Sequence, residues 1–383
     1  MTNKNVPELR FEGFEDDWEQ RKVFQFAKDT YGGGTPKTSV KEFWNGAIPW
    51  IQSSDLETNR LFNVSPKKKI TDEAVQKSAT KIIPSNSIAI VTRVGVGKLA
   101  LMSFEYATSQ DFLSLSELQV DPYFGSYSLY TMLQKELNNI QGTSIKGMTK
   151  SDLLEKRIMI PKNAEEQKKI GTLFKQLDYT ITLHQCKLEQ LKRIKKAFLQ
   201  LLFPVDDEKI PRLRFADFEE DWGQRQLKDV LKSHSFKQYL AEPRLKGEFE
   251  IIQQGDKPII GYAEGEAFAE YADVTLFGDH TVSLYKPKRP FFVATDGVKI
   301  LSADGFDGQY LFSTLERYKP ESQGYKRHFT ILKNEGIWFT KNSDEQIKIG
   351  SFFKQLDNTI ALYQHKSNQL EQLKQAYLQK MFI

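Results

Sequence analysis

The chain has 383 residues, of which 39% are hydrophobic, and its formal net charge is +4. This length is sufficient for two or more domains with ordinary hydrophobic cores. A single cysteine, Cys186, excludes an internal disulfide framework and is typical of a reducing compartment. No apolar run reaches the roughly 20 residues of a membrane span, and no apolar signal segment opens the chain, so we expect a cytoplasmic protein without membrane contact.

The small net charge does not by itself indicate nucleic-acid binding, and only residues 161–203 carry a clear excess of basic side chains. A nucleic-acid interface would therefore depend on local basic clusters. Such clusters occur at Lys67 to Lys69, at Lys286 with Lys288 and Arg289, and at Lys326, Arg327 and His328.

Two segments occur twice in the chain. The segment 7–21, which contains Pro-x-Leu-Arg-Phe, a further Phe, Asp-Trp and Gln-Arg, recurs at 211–225. The segment 166–203 recurs at 345–382, with more than half of its positions identical. The stretches between these copies show no colinear match, so the sequence predicts a duplicated frame around two unrelated interiors.

Residues 1–160 are predicted to form a first mixed α/β domain. Short apolar runs bounded by turns predict strands at 47–51 and 87–91, and the 110s to 130s are expected to be helical. Some side chains at strand ends and glycine-rich turns could contact base edges or phosphates. They are Lys37, Trp50, Arg93 and Lys98. Taken singly, such a residue is more often an ordinary surface or turn residue, and tryptophans such as Trp50 lie more often in a core.

Residues 161–203 are predicted to form a first long spacer helix. Apolar residues recur every 3.5 positions, as in a coiled-coil seam. The seam consists of Ile170, Phe174, Leu177, Ile181, Leu188 and Leu191. Asn163 followed by Glu166 predicts a capping box at the helix start. A helix of 38 residues would be about 57 Å long.

Residues 204–341 are predicted to form a second mixed α/β domain, with strands near 250–252, 281–285 and 291–295 and a helix near 311–318. Candidate contact residues again lie at strand ends and turns. They are Gln253, Gln254, Lys257, His280, Lys299, Lys326 and Arg327. Arg and Lys can donate to guanine, and Gln can pair with adenine.

Residues 342–383 are predicted to form a second spacer helix that starts with the same Asn-x-x-Glu signal, Asn342 and Glu345. Its seam consists of Ile349, Phe353, Leu356, Ile360, Tyr363 and Leu370. Polar residues interrupt the two seams at Lys195, Ser367 and Lys374. Each helix could pack only on its own domain or mediate homodimerisation, but the strict duplication favours an antiparallel pair within the chain.

The expected fold class is therefore α+β, with two mixed α/β domains joined by two long helices that form an antiparallel coiled-coil spacer with a pseudo-two-fold internal repeat.

Catalytic motifs are incomplete throughout the sequence. The segment 121–124, Asp-Pro-Tyr-Phe, lacks the second proline of an amino-methyltransferase motif, and the Gly-Lys pair at 97–98 lacks the spacing of a phosphate-binding loop. The five histidines show no metal-ligand spacing. We therefore expect no catalytic residue, no metal and no cofactor on this chain.

The repeated motifs together resemble the specificity subunit of type I restriction-modification systems. The resemblance rests on Pro-x-Leu-Arg-Phe-x-x-Phe-x-x-Asp-Trp, on the loop 33–36 that leads into Phe-Trp-Asn-Gly-Ala-Ile-Pro-Trp at 43–50, and on the Glu-Gln-x-Lys-Ile-Gly-x-x-Phe-Lys-Gln-Leu-Asp helices. It covers essentially the whole chain, with the motifs in the order found in that family.

This resemblance implies two target-recognition domains, each of which reads one half of a split site in double-stranded DNA. It implies that two methyltransferase subunits dock on the helical spacer and that two restriction subunits complete the complex. S-adenosylmethionine, ATP and magnesium would then be held by these partners. Because the two readers differ, the DNA site should be asymmetric, with half-sites roughly one DNA turn, about 34 Å, apart.

Two other interpretations remain open from the residues alone. A self-sufficient DNA methyltransferase would need to bind its cofactor, and the motifs for this are missing. A non-catalytic coiled-coil adaptor that links two protein partners would need no DNA, and the modest charge is compatible with it.

Overall fold

The structure is a computed structural model and describes residues 5–139, 147–205, 208–324 and 326–383. The chain divides into two compact units. Unit 1 contains the described residues up to Leu183 together with Lys366–Ile383, and unit 2 contains those from His184 to His365. Each unit therefore combines one α/β domain with part of each long helix.

The first half of the chain forms nine strands and four α-helices within the described residues, besides short 3-10 helices. The strands are β1 (Glu19–Lys22), β2 (Ala27–Gly32), β3 (Ile48–Ile51), β4 (Lys68–Ile70), β5 (Ser87–Val91), β6 (Leu99–Met102), β7 (Ala107–Thr108), β8 (Phe112–Leu118) and β9 (Arg157–Ile160). The helices are α1 (Asp72–Gln76), α2 (Pro122–Asn139), α3 (Lys150–Glu155) and the long α4 (Ala164–Leu201).

The second half forms nine strands and three α-helices within the described residues, besides short 3-10 helices. The strands are β10 (Gly223–Gln226), β11 (Leu231–His234), β12 (Phe249–Ile252), β13 (Ile259–Ala263), β14 (Thr275–Gly278), β15 (Leu284–Tyr285), β16 (Phe291–Val293), β17 (Val298–Ala303) and β18 (Gly336–Phe339). The helices are α5 (Gly308–Tyr318), α6 (Phe329–Asn334) and the long α7 (Ser343–Met381).

The two domains have the same sheet topology. In unit 1 a four-stranded sheet has the order β2-β8-β5-β6, a three-stranded sheet has the order β4-β3-β7, and β1 pairs with β9. In unit 2 the corresponding orders are β11-β17-β14-β15, β13-β12-β16 and β10-β18. The β3–β7 and β12–β16 pairs are parallel, and the other pairs are antiparallel. The expectation of unrelated interiors is therefore wrong at the level of fold, although their sequences have diverged.

The two long helices pack against each other in antiparallel fashion within each unit. In unit 1 Phe174 of α4 lies 5.5 Å from Phe382, measured between ring centroids. In unit 2 Phe198 of α4 lies 4.9 Å from Phe352 of α7. The start of each helix thus meets the end of the other, which confirms the predicted pairing within the chain. The twelve predicted seam residues are all buried or half-buried.

Two local predictions were wrong. Residues 112–118 were expected to be helical and instead form strand β8, and helix α2 starts at Pro122. The strand expected at 281–285 is limited to Leu284–Tyr285, because residues 279–283 form a tight turn in which Val282 has a φ of 57°. Among the described residues, no helix combines the length and apolar character that a membrane crossing requires.

Candidate nucleic-acid interface and the frame that carries it

A buried arginine–glutamate pair joins the two repeated segments of each unit. In unit 1 the Arg10 guanidinium donates to both carboxylate oxygens of Glu166, at 2.7 and 2.9 Å, and the Trp18 indole N–H also donates to this carboxylate at 3.3 Å. The hydrogen bond from Arg10 to Glu166 raises the pKa of Arg10. In unit 2 Arg214 binds Glu345 in the same bidentate way, at 2.7 and 3.0 Å. Both carboxylates are fully buried, so each depends on its arginine for compensation.

Because of these pairs, the predicted capping boxes form only in part: the asparagines cap the helices, but the glutamate side chains do not take part. The asparagines do cap the helices: Asn163 Oδ1 accepts from the Glu165 N–H at 2.8 Å, and Asn342 Oδ1 accepts from the Asp344 N–H at 3.0 Å. The glutamates three residues after the caps, Glu166 and Glu345, face the arginines of the first repeated segment, because a buried carboxylate gains more from a guanidinium than from one backbone N–H.

The repeated segments 7–21 and 166–203, and their copies 211–225 and 345–382, form the frame of each unit. The glutamine after each buried glutamate attaches this frame to a backbone atom of the α/β domain. Gln167 Oε1 accepts from the Asp121 N–H at 3.0 Å, just before α2. Gln346 Oε1 accepts from the Asp307 N–H at 2.7 Å, just before α5. Because the partner is a backbone group, this contact does not depend on the side chains of the domain.

The repeated glycine of the helices permits a close crossing with the domain. A Cβ atom added to Gly171 would lie 2.6 Å from both Asp121 Oδ1 and Phe124 N, and one added to Gly350 would lie 2.7 Å from Tyr310 N. Both distances are shorter than van der Waals contact allows. Glycine is therefore required where each long helix crosses the start of α2 or α5.

The lysine that interrupts the second seam is a buried ion-pair partner in unit 1. Lys374 Nζ lies 2.5 Å from Asp178 Oδ1, with side-chain exposures of 6% and 19%. The hydroxyl of Tyr127 donates to the other oxygen of Asp178 at 2.5 Å. Burial and the nearby carboxylate raise the pKa of Tyr127, so its hydroxyl remains protonated.

The equivalent lysine of the first seam forms the equivalent pair in unit 2. Lys195 Nζ lies 2.5 Å from Asp357 Oδ1 and 2.5 Å from Glu316 Oε2 of α5. Each unit thus has one antiparallel helix pair with a lysine–aspartate pair between its helices.

Four loops of unit 1 converge at one end of the sheets, and we call them the tip loops of unit 1: residues 52–55, 92–98, 109–111 and 147–149. Lys98 Nζ donates to the Ser53 carbonyl at 3.3 Å, and the Thr92 N–H donates to the Asp111 carbonyl at 2.7 Å. A Cβ added to Gly147 would lie 3.1 Å from the Thr92 carbonyl.

The tip loops of unit 2 are residues 253–258, 279–283, 294–297 and 326–328. The His280 N–H donates to Gln254 Oε1 at 2.9 Å, and the Asp279 N–H donates to the Gly297 carbonyl at 2.8 Å. The N–H of buried His328 donates to the Asp279 carbonyl at 2.8 Å. The same four connections therefore meet in both units.

Most of the predicted contact residues lie on or beside these tip loops. In unit 1 Arg93 is exposed and Lys98 half-buried, and exposed Lys37 follows a loop in which Thr35 hydrogen-bonds to Gln110. In unit 2 the residues are Gln253, Gln254, Lys257, His280, Lys326 and Arg327, and Lys299 lies on adjacent β17 with its amine 2.7 Å from the Asp296 carbonyl.

Trp50 is placed differently from the other predicted contact residues. Its side chain is 4% exposed, packs edge-on against Trp44, and donates its indole N–H to the Gly34 carbonyl at 3.1 Å. The structure thus places Trp50 in the core of unit 1, because the indole fills the space beneath the glycine-rich loop.

Parts of the predicted basic clusters have structural partners. The ammonium of Lys286 donates to three carbonyls, those of Ala272, Val274 and Gly308, at 2.6 to 2.9 Å. Burial lowers the pKa of Lys286 to about 8, so it still carries its proton at neutral pH. Arg289 pairs with Glu250 at 2.6 Å.

Sequence reasoning gave no role to the arginine, glutamine, glycine and aspartate of the repeated segments, and it missed one tip-loop residue. The arginine, glutamine, glycine and aspartate of the frame all stand in the repeated segments, so strict repetition was the available signal. Gln52, at the end of β3, was not singled out, because its equivalence to Gln253 becomes visible only through the shared sheet topology. In the part of the chain that the structure describes, no group of three or more His, Cys, Asp or Glu could hold a metal ion.

Comparisons with known proteins identify the family. The family model described as the type I restriction modification DNA specificity domain matches residues 15–193 and 219–372. The MjaIX type I restriction enzyme specificity subunit of Methanocaldococcus jannaschii is 30% identical over 237 residues, which is 57% of this chain and 52% of that protein. The chain thus spans about half the length of this relative.

Two further similarities extend over most of the chain. A putative type I specificity subunit of Mycoplasma pneumoniae is 22% identical over 78% of this chain and 83% of its own. The crystal structure of the type I restriction-modification S subunit from M. genitalium has a TM-score of 0.70 at 18% identity, over 99% of both chains, which establishes the fold. Since the family model matches most of the chain in both halves, this chain belongs to the type I restriction modification DNA specificity family.

Proposed function

We propose that this chain is the DNA sequence-recognition subunit of a type I restriction-modification complex and reads an asymmetric, bipartite site. One observation carries this proposal: two domains of identical topology present different side chains on equivalent tip loops. Identical folds with different tips suit two readers of two different half-sites. We further propose that the chain performs no catalysis and organises partners that do.

In this proposal the tip loops contact DNA. Exposed cations there, Arg93 in unit 1 and Lys257, Lys326 and Arg327 in unit 2, could neutralise phosphates or donate to guanine. Lys37, Lys98, Gln253, Gln254, His280 and Lys299 complete the proposed set. Trp50 has a supporting role in this proposal, since its indole packs beneath the loop 33–36.

We also propose the division into a first target-recognition domain (1–160), a first spacer helix (161–203), a second target-recognition domain (204–341) and a second spacer helix (342–383). The spacer would dock two methyltransferase subunits, and two restriction subunits would complete the complex. S-adenosylmethionine, ATP and magnesium would belong to these partners. Methylation of an adenine in each half-site would require flipping of that base from the stack.

The test is to express the full chain with its cognate methyltransferase subunit in a methylation-free bacterial host and to map modified adenines by long-read sequencing. A host that expresses the methyltransferase subunit alone serves as control. We expect a bipartite, asymmetric motif that requires this chain. An assembled complex without any motif would refute the proposal and favour a coiled-coil adaptor of two protein partners.

A further inference from the structure

Gln52 and Gln253 occupy the same backbone position in the two units. Each is the first residue after the central strand of its three-stranded sheet, β3 or β12. The last strand residue accepts a hydrogen bond from the first residue after the parallel neighbour in both cases: the Ser109 N–H donates to the Ile51 carbonyl at 3.0 Å, and the Ala294 N–H donates to the Ile252 carbonyl at 2.9 Å.

Each glutamine side chain donates one local hydrogen bond, although the two acceptors differ in kind. Gln52 Nε2 donates to Ser54 Oγ at 2.9 Å, and Gln253 Nε2 donates to the Lys257 carbonyl at 3.0 Å. Both acceptors lie within the same tip loop as the glutamine, both bonds are exposed to solvent, and both side chains are half-buried. Such a bond can be exchanged for bonds to a base at little net cost, because water already competes for it.

Neighbouring tip-loop positions differ between the units. Ser53 stands where unit 2 has Gln254, and Arg93 stands where unit 2 has His280. The latter equivalence follows from the backbone, since the residues before them, Thr92 and Asp279, donate to matching carbonyls. The two domains thus share a glutamine carboxamide at this position, whereas the neighbouring side chains differ between them.

We infer that Gln52 and Gln253 recognise the same base, an adenine, at equivalent positions of the two half-sites. This inference rests on the proposed function. The carboxamide presents a donor and an acceptor side by side, which match adenine N7 and N6 in the major groove. A residue common to both readers can only recognise what the half-sites share, and the differing residues around it recognise what distinguishes them.

The test uses the full chain co-expressed with its methyltransferase subunit, with the methylated motif mapped for wild type, Gln52→Ala and Gln253→Ala. We expect an A·T pair at matching positions of the two wild-type half-sites. Each variant should relax discrimination about 10- to 100-fold at that pair, in its own half-site alone. Gln52→Glu should shift the preference there from adenine toward cytosine, whose N4 amine donates to a carboxylate.

The control is Gln119→Ala. Gln119 is a more exposed glutamine whose side chain also makes one solvent-exposed local bond, from its Nε2 to the Glu117 carbonyl. It follows β8 at the end away from the tip loops. We expect its motif to be unchanged. The inference is overturned if Gln52→Ala and Gln253→Ala keep the wild-type motif, if they relax a pair other than A·T, or if they abolish methylation in assembled complexes. Absence of a wild-type bipartite motif would instead refute the proposed function itself.

Discussion

The buried pair between Lys374 and Asp178 leads to a quantitative prediction about unit 1. Replacing Lys374 with methionine keeps the volume of the side chain but leaves the Asp178 carboxylate without its cation. Loss of one partner of a buried ion pair costs about 3–5 kcal/mol. Because Asp178 is 19% exposed, we expect the lower end of this range, about 3 kcal/mol. This corresponds to a drop in the melting temperature of about 6–12 °C for a unit of roughly 200 residues.

A double-mutant cycle tests the origin of this loss. Asp178→Asn keeps an acceptor for the Tyr127 hydroxyl and removes the charge, so the double variant Lys374→Met/Asp178→Asn contains no unpaired ion. We expect the double variant to be more stable than the sum of the single losses predicts, by about 2 kcal/mol. The assay is calorimetry together with denaturant unfolding, with separate transitions fitted for the two units if they are resolved.

Lys192→Met provides the matched control. Lys192 pairs with Glu189 at 2.9 Å on the surface of α4, the helix that also carries Asp178, in the part that belongs to unit 2. The exposures of the two side chains are 49% and 59%, so loss of this pair should cost at most about 1 kcal/mol. The reasoning is refuted if Lys374→Met is no more destabilising than Lys192→Met, or if the effects of Lys374→Met and Asp178→Asn are simply additive.

Three further predictions follow from the contacts described above. Gly171→Ala should lower stability by about 1–3 kcal/mol through overpacking, whereas Gly336→Ala should not, since an added Cβ there meets nothing within 4 Å; equal melting temperatures would contradict this. Lys286→Met should destabilise unit 2 by about 1–3 kcal/mol, because three carbonyls lose a charged donor, and denaturant unfolding measures it. Under the proposed function, Arg93→Ala should relax methylation in one half-site and Lys257→Ala in the other; normal discrimination in both variants would show that these side chains do not read DNA.

The parts of the fold that depend on local sequence were predictable. The 3.5-residue rhythm of the long helices and their asparagine caps lie within short windows of sequence, so they predicted α4 and α7. The antiparallel pair was predicted from the duplication of the helix sequence. Strand β8 was missed because five consecutive residues, 112–116, are buried. A strand covered on both faces shows no alternation, and periodicity cannot distinguish it from a buried helix.

The parts that depend on long-range contacts could not be derived from one sequence. Arg10 and Glu166 are separated by 156 positions, and their pairing is a property of tertiary structure. The common topology of the two domains is likewise carried by backbone hydrogen bonds, such as that from Ser109 to Ile51, which leave no residue pattern. The candidate contact residues were correctly expected at strand ends and turns, because turns between strands are exposed in most folds, and their contact with DNA stays a prediction. The core position of Trp50 depended on the fold of its loop.

The attachment of each domain through Gln167 or Gln346 has a consequence for the exchange of domains between genes. The frame holds the start of the domain helix by a backbone N–H, at Asp121 or Asp307, which every non-proline residue supplies in the same geometry. A gene could therefore acquire a foreign interior by recombination within the repeated segments, and these anchoring bonds would re-form without compensating mutations. Under the proposed function, one genetic exchange could thus change a half-site while the repeated segments stay unchanged.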